Sequence, residues 1–205
     1  KFNAKGGVGP SKWVHLIEVA DDYRGRFRRG EADIAQKYAD LVDEALANIN
    51  ACDGKLAGFI AETFPSVGGQ IIPPKGYLPA VYEKIRKAGG VCIADEVQTG
   101  LGRLGDYFFG FEQQGAVPDI VVLGKPIGNG HPLGVVVTTK QIADSFAKGP
   151  EFFSTFGGST LSCRMGLEVL KIVEDEHLQK NAKHMGDKLL AGLHDFREKY
   201  EIVGD

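Results

Sequence analysis

Val91-Cys92-Ile93-Ala94-Asp95 and Ile120-Val121-Val122-Leu123-Gly124-Lys125 are two short apolar runs, and each of them ends at a charged residue. Short runs of this composition are typical of buried strands in a parallel sheet. In an open α/β sheet, ligands bind outside the carboxyl ends of the strands. We therefore expect the side chains of Asp95 and Lys125 to face one crevice.

Amphipathic helices are predicted between and around these strands. Apolar residues from Glu31 to Asn50 recur at intervals of three and four, and a second helix from about Gly76 to Ala88 ends at the pair Gly89-Gly90. The other predicted elements are strands over 56–61 and 133–138, a possible edge strand over 13–17, a short helix over 140–147 and two helices over 161–200 that break near 175–177. This alternation predicts an α/β fold, a mostly parallel sheet with helices on both faces.

The composition favours a globular chain and argues against two classes of partner. The 205 residues are 43% hydrophobic, and 27 acidic and 24 basic residues give a net charge of -3 without long charged runs. Such a chain is predicted to bind neither nucleic acid nor membrane, and no apolar run approaches the roughly 18 residues of a membrane span. The widely spaced Cys52, Cys92 and Cys163 fit free thiols in a reducing compartment, so we expect a cytoplasmic protein.

A carboxylate and a primary amine held over one crevice suit pyridoxal 5′-phosphate. The ring nitrogen of this cofactor needs an anionic partner, and its aldehyde needs a lysine with which to form a Schiff base. Taken singly, Asp95 could be an ordinary polar residue at a strand end, and Lys125 a solvated surface lysine. The run before Lys125 is too apolar for the surface, however, and Pro126 prevents simple continuation of the strand, so we expect Lys125 to be buried.

Spacing disfavours three other kinds of site. Gly100–Gly105 fits the GxGxxG pattern of dinucleotide-binding folds, but its glycines begin five residues beyond the strand end, and Asp119 precedes the next strand instead of closing it. Gly124-Lys125 is not part of a P-loop, since Asp119 and Pro126 stand where that motif needs a glycine and a hydroxyl residue. The five histidines show no metal-like spacing with cysteines or acids, so no metal site is expected.

Several short strings follow one another in the chain: IAE (60–62), IADEVQTG (93–100), GR (102–103), PDI (118–120), LGKP (123–126) and STFGG (154–158). With these strings, the stretch from Ala61 to Cys163 resembles the class III, or omega-type, pyridoxal-phosphate-dependent aminotransferases. Several strings agree with the family in order and spacing together, and the resemblance implies part of the large domain of a fold-type I enzyme. Within the family, the chain is most similar to the branch of alanine–glyoxylate-type aminotransferases and of phospho-lyases that act on phosphoethanolamine or phosphohydroxylysine. The likeness to this branch is carried by the strings GGQIIPP (68–74) and GNGHP (128–132).

The resemblance also implies roles for particular residues. Lys125 would form the Schiff base and then move a proton, and Asp95 would pair with the protonated pyridine nitrogen. Val97 would pack on the ring face, although plain core packing also explains it, and Gln98 would donate to the phenolic oxygen. Thr155 is similar to a family residue that reaches the cofactor phosphate of the neighbouring subunit, so a homodimer with shared active sites is expected; taken alone, it is a hydroxyl in a glycine-rich loop.

Two further residues near the predicted site have weaker roles. Glu62 matches a family glutamate at the strand end, more as a structural hydrogen-bond partner than as a catalytic group, and Arg103 is a candidate for substrate or dimer contacts. Several omega-aminotransferases carry a second glutamate five residues after the Glu62 position, where it pairs with an arginine that binds the substrate carboxylate. This chain has Val67 there, so its substrate is not carried over from those relatives.

The implied function is transfer of an amino group from an amine or amino acid to a keto acid through a Lys125 Schiff base. One alternative on the same scaffold is a phospho-lyase acting on a phosphorylated amine, and another is a catalytically silent fragment that lacks the phosphate cradle. Family members are longer, and the opening at Lys1 looks cut from a longer chain. We divide the sequence into a loop-rich entry segment (1–30), a cofactor-binding portion of the large domain (31–160) and helices that lead toward an absent small C-terminal domain (161–205).

Overall fold

A four-stranded sheet forms the centre of the computed structural model, which describes residues 8–204. The strands are β1 (Gly58–Glu62), β2 (Val91–Asp95), β3 (Ile120–Leu123) and β4 (Val135–Thr138), and they lie in this order across the sheet. β1, β2 and β3 run parallel, and β4 is antiparallel to β3. The predicted α/β class with a mostly parallel sheet is confirmed.

Helices connect and cover the strands. The helix α1 (Ile34–Ala51) precedes β1, and α2 (Tyr77–Lys87) joins β1 to β2. The predicted glycine stop after α2 is confirmed, since Gly89 has a φ of +85°. Within residues 8–204, no helix combines the length and the apolar content needed to cross a membrane. The other helical elements are α3 (Gly110–Gln113), a 3-10 helix (Lys125–Gly128), α4 (Lys140–Ala147), α5 (Thr160–Asp175) and α6 (Leu178–Lys199).

The possible edge strand over 13–17 does not form. Trp13 is 81% exposed, and the segment begins with a turn in which the Val14 N–H donates to the Ser11 carbonyl oxygen. An apolar run becomes a strand only where a neighbouring backbone offers donors and acceptors, and none of the described strands pairs with this segment. The opening residues 1–7, on which the expectation of a cut chain rested, lie outside the described part.

The main core lies between the first two helices and one face of the sheet. Tyr38 and Val42 of α1, Val81 and Ile85 of α2 and Cys92 of β2 are all at most 2% exposed and belong to one cluster. Successive side chains of a strand point to opposite faces. The odd-numbered positions of β2 therefore face away from this core.

A second, smaller cluster lies beneath the end of β3. Val121 and Leu123 pack there with Leu101. The opposite face of the sheet has less cover, because Ile60 is 62% exposed and Val136 is 66% exposed. The strand pairing places both of these side chains on the same face as Asp95, so that face is accessible within this chain.

Two of the three glycines of the GxGxxG string, Gly102 and Gly105, pack against α6. Gly105 has a φ of +74°, and a Cβ added to it would lie 2.7 Å from the Cα of Lys183. A Cβ on Gly102 would lie 2.8 Å from the Cβ of Gln179. The absence of side chains here lets the loop lie directly on the helix.

We expect Gly105→Ala to lower the free energy of unfolding by about 2–4 kcal/mol, since it adds a collision with the α6 backbone to an unfavourable positive φ. Gly115→Ala is the matched control, because Gly115 has a similar φ of +68° but nothing within 4 Å of an added Cβ; it should cost about 1 kcal/mol. Denaturant unfolding of the full-length protein measures both. Equal losses in the two variants would contradict the packing of this loop on α6.

Cys92 should resist alkylation in the native protein at neutral pH. Burial raises the pKa of its thiol to about 12, and the thiolate is the reactive form. The exposed Cys52 is the internal control. Peptide mapping after iodoacetamide treatment should find Cys52 modified and Cys92 unmodified until denaturant is added, whereas similar native labelling of both would disprove the burial.

Candidate active site

The carboxyl ends of the three parallel strands meet at one edge of the sheet. Glu62 is in register with Asp95, and Asp95 is in register with Val122. Lys125 follows the end of β3 after a single glycine and begins the 3-10 helix. The structure therefore places the three charged residues Glu62, Asp95 and Lys125 at the same edge.

One of the two oxygens of the Asp95 carboxylate is hydrogen-bonded within its own turn. Its Oδ1 accepts a hydrogen bond from the Val97 N–H at 3.0 Å. Its Oδ2 accepts no hydrogen bond from any residue in the described range 8–204, and the side chain is partly exposed. One anionic oxygen with a fixed orientation is thus available to an external donor, such as a protonated ring nitrogen.

Val97 brings the turn after β2 against the end of β3. A Cβ added to Gly124 would lie 3.3 Å from Val97 Cγ1 and 3.4 Å from its Cγ2. A side chain at position 124 would therefore require the Val97 methyl groups to move by a few tenths of an ångström. The contact joins the segment that carries Asp95 to the segment that carries Lys125.

Lys125 differs from expectation in its exposure. The strand before it is buried at Val121 and Leu123, but the lysine itself is exposed in this chain. The prediction of a buried Lys125 is therefore wrong for the described residues, because the apolar run ends two residues earlier and the backbone then turns outward. Its φ of +41° is a left-handed conformation that is costly for a lysine, and such outliers concentrate at functional sites.

The other predicted site residues lie in turns and loops outside the strands. Gln98 is partly buried in the turn after Asp95. Thr155 is exposed on the loop between α4 and α5, and Arg103 lies with Pro126 in a groove of about 360 Å³ bounded by α5 and α6. Within residues 8–204, no hydrogen bond or ion pair connects Arg103 or Thr155 to Asp95.

Glu62 has a local structural contact. Its Oε2 accepts hydrogen bonds from the Ser66 N–H at 3.1 Å and from the Ser66 hydroxyl at 3.0 Å. These bonds close the turn that follows β1. The contact is of the kind expected for a structural partner beside the site.

Two polar contacts near the site were not predicted. Glu96, which follows Asp95, is 1% exposed and fully hydrogen-bonded. The burial of Glu96 could have been predicted from β2, because successive side chains of a strand point to opposite faces and Glu96 therefore lies on the face opposite Asp95. The second contact joins His131 Nε2 to the Ser162 hydroxyl at 2.8 Å, and nothing in the sequence linked these distant positions.

Within residues 8–204, no cluster of three or more His, Cys, Asp or Glu residues could hold a metal ion.

Comparison with known proteins assigns the family. Residues 13–205 match the profile described as aminotransferase class-III. A curated relative from Drosophila melanogaster, named alanine–glyoxylate aminotransferase 2-like, is 44% identical over 209 residues, which are 100% of this chain and 42% of the relative. A solved phospholyase from Arthrobacter, in complex with phosphoethanolamine, matches with a TM-score of 0.87 at 32% identity, over 96% of this chain and 47% of that one. An amine transaminase from an uncultivated Pseudomonas species, in its PLP-bound form, matches with a TM-score of 0.81 at 34% identity, over 92% and 44%.

The chain belongs to the class-III aminotransferases, enzymes of the fold-type I architecture whose cofactor is pyridoxal 5′-phosphate. It spans less than half the length of the relatives it matches. Its residues fit the cofactor, since they provide an anionic oxygen at Asp95 without a partner among residues 8–204, a primary amine at Lys125 and the apolar surface of Val97 against Gly124.

We expect Asp95→Asn to separate the charge of this residue from its structural role. The asparagine side-chain oxygen can still accept from the Val97 N–H, so the melting temperature should change little. The negative charge is lost, and kcat of the full-length enzyme should fall by at least roughly 100-fold, or about 2.7 kcal/mol in activation free energy. Steady-state kinetics and a thermal melt measure the two effects, and near-normal kcat in a folded variant would contradict the role of Asp95.

Proposed function

We propose that this protein is a pyridoxal-phosphate-dependent transaminase that moves an amino group from an amine or amino acid to a keto acid. The observation that carries the proposal is the position of Asp95 and Lys125 at the ends of neighbouring parallel strands, with one Asp95 oxygen free of partners in the described part of the chain. The family match supports the reaction class. Because the chain spans 42% of its Drosophila relative, the activity is proposed for the whole protein.

Each residue at the sheet edge has a specific task in this proposal. When bound, pyridoxal phosphate acts as an electron sink for the carbanion formed at the substrate carbon. Asp95 would keep the pyridine nitrogen protonated by holding a negative charge beside it. Lys125 would hold the cofactor at rest and, once the substrate amine has displaced it, carry the proton between carbon atoms. Val97 would limit the tilt of the ring, and Gln98 would donate to the phenolic oxygen.

We also propose a homodimer and a cytoplasmic location. Thr155 is exposed on its loop, which leaves its hydroxyl accessible to a second copy. Phe153 and Phe156 beside it are 82% and 87% exposed, and clustered exposed aromatic residues favour a protein contact. The free thiols of Cys52 and Cys163 fit a reducing compartment.

A phospho-lyase reaction is the second candidate. It is favoured by the TM-score of 0.87 with the Arthrobacter phospholyase and by Val67, which is 91% exposed where several omega-aminotransferases have a glutamate. Both reactions begin with removal of a proton from the substrate. In the lyase, the C–O bond to phosphate then breaks, and water releases the remaining fragment as an aldehyde and ammonia.

Parallel assays of the full-length protein distinguish the two reactions. Transfer of an amino group from alanine to glyoxylate or pyruvate, without phosphate release from phosphoethanolamine, is the expected result. Phosphate release without transfer would identify the lyase instead. Loss of both activities in a folded protein that binds the cofactor would contradict both candidates.

We expect Lys125→Ala to abolish the visible absorption band that pyridoxal phosphate gives when bound to the full-length protein, because within residues 8–204 Lys125 is the lysine that follows the carboxyl end of β3, and the aldehyde needs this amine to form a Schiff base. Turnover should fall by at least roughly 1,000-fold, or about 4 kcal/mol. Lys140→Ala is the control, since Lys140 is an exposed lysine paired with Asp144 on α4. A band that survives Lys125→Ala as well as it survives the control would rule out Lys125 as the cofactor lysine.

A further inference from the structure

Glu96 is a carboxylate buried at the end of β2 with four donors around it. Its Oε1 accepts from the Thr63 hydroxyl at 2.5 Å and from the Phe111 N–H at 3.0 Å. Its Oε2 accepts from the Thr99 hydroxyl at 2.7 Å and from the Gly110 N–H at 2.7 Å. The side chain is 1% exposed. A buried carboxylate is tolerated only when hydrogen bonds replace its hydration, and here each oxygen has one hydroxyl donor and one backbone donor.

These four bonds join separate parts of the sheet edge. Thr63 directly follows β1, and Gly110 and Phe111 begin α3. The backbone N–H of Glu96 donates to the Val122 carbonyl oxygen of β3 at 2.9 Å. One residue therefore connects the ends of β1, β2 and β3 to α3.

Glu96 is also the central residue of the turn that holds Asp95. The Val97 N–H donates to Asp95 Oδ1 across it. Ala94 and Glu96 are buried, and the side chain of Asp95 between them points to the opposite, partly exposed side of the sheet.

We propose that Glu96 is a positioning residue for the cofactor: by anchoring the buried side of the turn, it aims the Asp95 carboxylate at the ring nitrogen and sets Val97 against Gly124. This inference rests on the proposed function. The direction of the Asp95 carboxylate matters because a shift of about 1 Å in a reacting group can lower the reaction rate by on the order of 100-fold.

The donor pattern makes Glu96→Gln an informative substitution. The threonine hydroxyls can rotate and accept, but the backbone N–H groups of Gly110 and Phe111 cannot. Each oxygen faces one of these N–H groups, so the amide NH₂ points at a backbone donor in either orientation. The glutamine variant therefore has to shift the turn, although its size is unchanged.

Glu112→Gln is the matched control. Glu112 is an exposed carboxylate at the same helix, and its Oε2 accepts from the Phe108 and Phe109 N–H groups at 2.9 Å each. A glutamine there can keep its oxygen on these donors. The control makes the same chemical change without touching the turn of Asp95.

The test compares full-length wild type, Glu96→Gln and Glu112→Gln, each loaded with pyridoxal phosphate. We measure melting temperature, visible circular dichroism of the bound cofactor, and kcat and KM separately. Glu96→Gln should reduce the dichroic signal and lower kcat by about 10- to 100-fold, while Glu112→Gln keeps both near wild type. The visible dichroism divided by the absorbance of the bound cofactor reports the asymmetry of the ring's surroundings, and it is independent of how much cofactor is bound.

A lower melting temperature with unchanged dichroism and kcat in Glu96→Gln would overturn the positioning role. If that variant does not fold, Thr99→Val removes one of the four donors and should give a smaller change in the same direction; no change in its dichroism and kcat would likewise overturn the role. A wild-type protein that gives no cofactor signal overturns the proposed function and this inference together, whereas wild-type turnover with a normal Glu96→Gln variant overturns only the inference.

Discussion

The parallel pairing of β2 between β1 and β3 is the constraint on which the site depends. Ala94 pairs with Val121, and Asp95 with Glu62 and Val122. Side chains alternate along a strand, so a slip of one residue would exchange the positions of Asp95 and Glu96. Two adjacent carboxylates thus have opposite environments: Glu96 has four donors on the buried side, and Asp95 has one donor on the accessible side.

The carboxylate of Asp119 holds the start of β2, the strand that ends at Asp95. Asp119 Oδ2 accepts from the Cys92 N–H at 2.7 Å, and the Cys92 carbonyl oxygen accepts from the Asp119 N–H at 2.8 Å. The Arg86 guanidinium of α2 lies 3.0 Å from Asp119. The strand that carries Asp95 is therefore held by Asp119 at its start and by Glu96 at its end, and the apolar core below it is not its only support. Rigid placement of a charge is what electrostatic catalysis requires, because a fixed charge needs no reorganisation during the reaction.

The sequence predicted most of the elements and the charged ends of β2 and β3, for physical reasons that are local. Period-three and period-four apolar patterns are visible in α1, α2, α5 and α6, and the break at 175–177 coincides with His177, whose φ is +53°. The features it did not predict depend on distant partners. The segment 13–17 lacks a neighbouring strand within the described residues. Glu96 receives its four donors from segments up to 33 residues away in sequence, and no pattern around position 96 encodes them.

The exposure of Lys125 was missed for a related reason. The buried run that ends at Leu123 predicts where the strand lies, but it does not determine the path of the two residues that follow. Gly124 is extended, and Lys125 then adopts a left-handed conformation that starts the 3-10 helix. In the proposed function, this exposed position after the end of β3 would present the Lys125 amine to the aldehyde of the cofactor although the lysine is not part of the core.

The roles proposed for these residues also explain why transamination and phosphate elimination are both candidate reactions. In both proposed reactions, Asp95, Val97 and Lys125 would act on the ring and on the first proton, because transamination and elimination share this step. Elimination additionally needs a cation at the leaving phosphate. Arg103 is a cation in the surrounding loops, but it lies in the groove beside Pro126 that α5 and α6 bound. Under the proposed function, the described residues at the sheet edge would supply the steps that both reactions share, and groups that contact the far end of the substrate would decide between the two outcomes.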